Sequence, residues 1–120
     1  MIQFLKNRIK SIKYALNGVC QFYHSEIHAK IHIIFAFITI ALAFILEINR
    51  IEWVFIVFAI GIVFITEMLN TSIEKLVDLI SPEYNKKAGI IKDVAAGAVL
   101  MASVVSVIIG SIIFLKHTTC

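Results

Sequence analysis

Three apolar runs, Ile31–Leu46, Trp53–Ile65 and Val94–Leu115, constrain this chain more than any other feature. A chain of 120 residues that is 60% hydrophobic has too little interior to hide that much apolar surface from water. Ordinary soluble domains carry about 45–50% apolar residues. One proline and five glycines leave long helices as the natural form of the runs. The expected fold class is an all-α integral membrane protein, in one domain.

The positions of the charges give the orientation. Nine of the eleven Lys and Arg residues fall in two zones, Met1–Lys30 and Glu74–Asp93, and only Arg50 and Lys116 lie elsewhere. By the positive-inside rule both zones are cytoplasmic, where they would also favour anionic headgroups. Nucleic acid is excluded as a partner, because these cations have no aromatic-interleaved soluble domain to sit on. The first apolar run starts only after thirty residues and reads as a retained anchor rather than a cleavable signal. Cys20 and Cys120 stand far apart and form neither a metal-ligand spacing nor a disulfide framework.

Taken in order, the chain predicts a surface helix over 3–28 and spans over 31–48, 52–80 and 90–115. In the first, Leu5, Ile9, Ile12, Leu16, Val19 and Tyr23 recur at four- and three-residue intervals. Lys6, Lys10, Lys13, Asn17, Gln21 and His24 keep the same period on another face, the pattern of a helix lying in the interface. The first span can extend over Ala29–Ile48, near the ~20 residues a bilayer needs. Glu47, Asn49, Arg50 and Glu52 form an external turn, with Trp53 as interfacial anchor. The second span runs on past Glu67 as a cytoplasmic extension until Ser81-Pro82, where proline stops it. In the third, Ala98, Ala102, Ser106 and Gly110 form a four-residue stagger of small residues, suited to close helix packing within the chain or between copies. Three spans make a thin bundle, so a homo-oligomer is expected.

Chemistry concentrates between the second and third runs. Five of the eight acidic residues lie in Thr66–Asp93, and Glu67, Asn70, Glu74 and Asp78 are three, four and four apart. On a helix that spacing stacks them on one face. Such a row emerging from a membrane segment is costly and seldom serves stability alone. With Glu26, the one carboxylate in the first 46 residues, and with Lys92 and Asp93, it can form a pocket. Hard oxygen donors suit Mg²⁺, which takes one or two carboxylates and completes its shell with water and phosphate oxygens. Lysine can hold a transferring phosphate, and phosphoryl transfer needs little beyond positioning, charge neutralisation and a base. Glu67 lies deepest, where an acceptor with a greasy tail would present its alcohol to a desolvated carboxylate. Two other readings stay open: a polar network that joins helices, and a small transporter or channel with Glu67 as its ion site. His24, His28 and His32, four apart, allow a metal face or a set of polar anchors. No phosphate-cradling glycine loop and no protein-kinase signature is present.

E-M-L-N-T-S-I-E-K-L-V-D resembles the E-x-L-N-[ST]-x-I-E-x-x-V-D signature of the small prokaryotic diacylglycerol kinases. S-P-E-Y-N followed by I-K-D-V-A-A-G-A-V-L resembles that family's loop and the start of its third span. The resemblance implies an interfacial helix and three membrane helices in a homotrimer with shared active sites, which transfers the γ-phosphate of MgATP to a lipid alcohol. It implies Glu67 as proton acceptor at the lipid, and Glu26 and Glu74 as holders of the metal and the ATP phosphates. Asn70 would position the phosphates and Lys92 neutralise them. Tyr14, Glu83, Tyr84, Asn85 and Asp93 would surround the nucleotide. S-E-I-H-A-K-I-H, with His28, Lys30 and His32 toward the lipid substrate, is similar to the Gram-positive branch, whose acceptor is undecaprenol; diacylglycerol is the alternative. Asn85 stands where the family commonly has histidine, and His28 where that branch often has asparagine.

Overall fold

The computed structural model describes residues 1–119, so Cys120 lies outside the described residues. Four helices follow one another: α1 (Ile2–Ser25), α2 (Ile27–Ile45), α3 (Arg50–Ile80) and α4 (Lys86–Thr118). The last three are long and apolar enough to cross a membrane, and the protein is an all-α integral membrane protein. At 1.5 Å per residue α2 is about 28 Å long, close to the ~30 Å hydrocarbon core, whereas α3 and α4 reach about 45–50 Å. The excess length of α3 and α4 carries the polar turns at the α1 end of the molecule.

A single residue separates α1 from α2. Glu26 is extended (φ −114°, ψ 122°), although its N–H still donates to Phe22 O at 3.1 Å. The surface helix therefore ends at Ser25 rather than 28, and His28 and Lys30 belong to the first turn of α2. The physical reason is the change of pattern at that point: α1 is two-faced and suited to the interface, while α2 beyond His32 is almost wholly apolar and suited to leave it. Leu5, Ile9, Ile12, Leu16 and Val19 are exposed, and Phe22 is the one buried residue of α1. Its apolar stripe is left uncovered by the rest of the described chain.

The turn between α2 and α3 closes on itself. Glu47 takes φ 52°, Glu47 N–H donates to Phe44 O at 3.2 Å, and Ile48 N–H donates to Ala43 O at 3.3 Å. This is a Schellman close, and Ile48 packs back on Ala43 in a small cluster with Ile56 and Ile113. Asn49 then caps α3: its side chain accepts from Glu52 N–H at 2.9 Å and donates to Glu52 Oε1 at 2.7 Å. At the other end, α3 stops at Ser81 before Pro82, and the Asn85 side chain caps α4 by accepting from Lys87 N–H at 2.9 Å.

α3 and α4 pack together along most of their length, and α2 leans on α3. The α3 face toward its partners is Ile56, Ala59, Val63, Glu67 and Thr71, all buried. Against it α4 buries Ala95, Ala102 and Ile113. Ser106 Oγ donates across the interface to Ala59 O at 2.9 Å and lies 2.9 Å from Ala102 O in its own helix. Lipid gives helices no hydrophobic drive to associate, so this close approach of small residues supplies the contact. Ala102 and Ser106 of the small-residue stagger serve it, Gly110 lines a neighbouring groove, and Ala98 is exposed.

Candidate active site

The polar cavity is built where α2, α3 and α4 converge near the α1 end. Its volume is about 360 Å³, and its walls are Glu26 and His28, then Glu67, Asn70, Thr71 and Glu74 of α3, with Ala96 and Val99 of α4. The stacked spacing on α3 puts three of the expected polar residues on one wall, and the break at Glu26 lets that carboxylate reach the same space. Ala96 and Val99 keep α4 slim enough to leave the space open.

Next to the cavity, deeper along the helices, lies an apolar groove of about 620 Å³. It starts at His32 and Phe64 and runs past Ile56 and Ser106 to Phe114 and Leu115 near the other end of the spans. The two spaces meet between His28 and His32 on α2, Glu67 and Val63 on α3, and Val99 and Ser103 on α4, and it is α3 that changes from polar to apolar lining there. Glu67 and His32 meet at this boundary. His32 Nε2–H donates to Glu67 Oε1 at 3.0 Å, and Phe64 holds the imidazole edge-on at a centroid distance of 6.2 Å. Glu67 is 8% exposed.

Asn70 Nδ2 donates to Glu74 Oε1 at 3.2 Å, while Asn70 Oδ1 is buried with no partner among the described residues. A buried carbonyl left unpaired costs about 1–3 kcal/mol. The lone oxygen and the carboxylates around it form a donor set that fits a hard divalent cation. Among the described residues no three His, Cys, Asp or Glu side chains converge closely enough to hold a metal alone. Such a cation would therefore complete its shell from outside the protein, as Mg²⁺ does with water and phosphate.

The other expected site residues lie outside the cavity. Lys92 pairs with Asp78 farther toward the α3–α4 turn, and Asp93 is exposed. Tyr14, Glu83 and Tyr84 are exposed, Tyr84 at 92%, and the Asn85 oxygen is engaged in capping α4. Lys30 is exposed on α2. Within one chain these residues surround the α1 end without gathering into one pocket. The sequence reading passed over Thr71, which is buried in the cavity wall one turn from Glu67; its four-residue offset from that carboxylate was the available signal.

Comparison with known proteins defines the class. Residues 13–114 match the family described as prokaryotic diacylglycerol kinase. The chain belongs to that family. It is 39% identical over 111 residues to the undecaprenol kinase of Bacillus subtilis (strain 168), covering 92% of this chain and 90% of the relative. It is 30% identical over 109 residues to the diacylglycerol kinase of Escherichia coli (strain K12), covering 91% and 89%. A diacylglycerol kinase of Synechocystis sp. is 34% identical over 114 residues, covering 94% of this chain and 65% of that protein.

Proposed function

We propose that this protein is a lipid kinase that transfers the γ-phosphate of ATP, with Mg²⁺, to undecaprenol. The observation that carries this reading is the position of Glu67, a buried carboxylate between a polar cavity and an apolar groove. A phosphotransferase with a lipid acceptor has to bring a charged donor and a greasy alcohol to one carboxylate, and this boundary offers each its own compartment. The similarity to an undecaprenol kinase over nearly the whole chain supports the acceptor. The diacylglycerol kinases among the relatives make diacylglycerol the second acceptor to test.

In this reading the lipid tail lies along the groove with its hydroxyl at Glu67, which takes the proton as the acceptor oxygen reaches the γ-phosphorus. Glu26 and Glu74 would hold the metal, and Asn70 Oδ1 would face the bound metal and phosphates. Mg²⁺ supplies charge neutralisation to the phosphate oxygens when bound. Of the residues expected toward the lipid, His32 lines the groove, whereas His28 lines the polar cavity and Lys30 is exposed on α2. Lys92 releases Asp78 to meet phosphate, while Tyr14, Glu83, Tyr84, Asn85 and Asp93 flank the nucleotide in a homotrimer whose neighbouring copies complete each site. The two basic zones support a cytoplasmic side of the cell membrane for the N-terminus and the α3–α4 turn.

The test offers undecaprenol and diacylglycerol side by side in mixed micelles with MgATP labelled in its γ-phosphate. Label in undecaprenyl phosphate is the expected result. Label mainly in phosphatidic acid moves the chain to the second acceptor. Label in neither, from a folded oligomer, overturns the kinase reading and returns the acidic row to a structural or transport role.

A further inference from the structure

We infer that His32 is a positioning residue that holds the Glu67 carboxylate in its working orientation, so that the two act as one dyad; this rests on the lipid-kinase reading above. The imidazole lines the groove, the carboxylate lines the cavity, and a 3.0 Å hydrogen bond joins them. Because Oε1 accepts from His32 Nε2–H, Oε2 is the oxygen left to receive a proton. No donor among the described residues reaches Oε2. Both partners are held: Phe64 backs the imidazole, and Glu67 is wedged in the buried α3 face between Val63 and Thr71.

The dyad gives the reaction a defined proton path. The acceptor oxygen bonds to the γ-phosphorus as the bond from that phosphorus to the ADP oxygen breaks. The hydroxyl proton passes to Glu67 Oε2 and leaves later to water in the polar cavity. The His32–Glu67 hydrogen bond persists throughout, so His32 gains and loses no proton. Its role is orientation: a carboxylate with one fixed oxygen cannot swing out of reach of a hydroxyl at the groove mouth. Among the described residues His32 makes no hydrogen bond to Glu26, Asn70 or Glu74.

The test is steady-state kinetics of the intact protein in mixed micelles with saturating lipid. His32→Ala should lower kcat by about 100-fold, the scale of a misplaced reacting group, with KM for MgATP unchanged. His32→Gln, whose amide N–H can replace Nε2–H, should recover activity to within about tenfold of wild type, and His32→Met, of similar length but with no donor, should not. In a Glu67→Gln background, His32→Ala should lower the residual rate less than about threefold, because groups acting as one unit lose their effect once. Unchanged kcat with a raised KM for lipid would reduce His32 to a tail contact and overturn the dyad. Equal rates for the Gln and Met variants, or independent losses in the double variant, would do the same. If His32→Ala fails to insert, the Gln–Met comparison decides. An inactive wild type would instead strike at the kinase reading, so the two failures are distinct.

Discussion

Each end of the membrane part of α3 buries a carboxylate, and the two are treated in opposite ways. Glu52, 7% exposed, is saturated: Asn49 Nδ2 donates to its Oε1 at 2.7 Å, Lys116 Nζ donates to the same oxygen at 2.9 Å, and His117 Nε2–H donates to Oε2 at 2.6 Å. Its backbone N–H is also capped by Asn49. This cluster ties the start of α3 to the end of α4 and leaves no oxygen for a ligand. Among the described residues Glu67 has the one partner His32, with a cavity on its other side and an unpaired Asn70 oxygen nearby. Buried polar groups are normally satisfied, so the saturated carboxylate is read as a fastener and the under-satisfied one as a working group.

That contrast can be broken by experiment. The largest effect is expected at Glu67→Gln, which should reduce phosphoryl transfer by about 10²–10⁴-fold, the usual contribution of a general base, while insertion and thermal stability in detergent stay as in wild type. Glu52→Gln should do the reverse: a lower unfolding temperature, with the folded fraction transferring phosphate at the wild-type rate. If Glu52→Gln abolished transfer in folded protein, or Glu67→Gln melted the bundle, the assignment of the two ends would be wrong.

Smaller effects sharpen the picture on the cavity side. Glu74→Gln should raise the Mg²⁺ concentration for half-maximal activity by about tenfold, and an unchanged Mg²⁺ titration would remove Glu74 from the metal role. Asn70→Ala deletes a carbonyl that has no partner in the ligand-free protein, so its stability without ligand should hardly change. The thermal shift produced by MgATP should shrink, and a full-sized shift would count against Asn70 as a ligand-side group. The smallest change is expected at Ser106→Ala. Hydrogen bonds between membrane helices average about 0.6 kcal/mol, and equilibrium unfolding in mixed micelles would read a loss of that order.

Much of this protein follows from its sequence alone. Backbone groups in lipid must pair within their own segment, so apolar runs of sufficient length become helices whatever surrounds them. The Glu67–Asn70–Glu74 wall follows from the 3.6-residue repeat, and the family from motifs contiguous in the chain. Three features needed the tertiary structure, because they join residues that helix periodicity cannot relate. His32 meets Glu67 across 35 positions, and their contact depends on the depth at which α2 leans on α3. Lys92 pairs with Asp78 across 14 positions and is not in the cavity wall, a choice set by how α4 packs on α3. Glu52 finds Lys116 and His117 only because α4 is long enough to return to the start of α3. Local spacing decides which residues share a helix face; the packing of separate helices decides which faces meet, and in this protein that packing puts the buried carboxylate where the apolar groove ends.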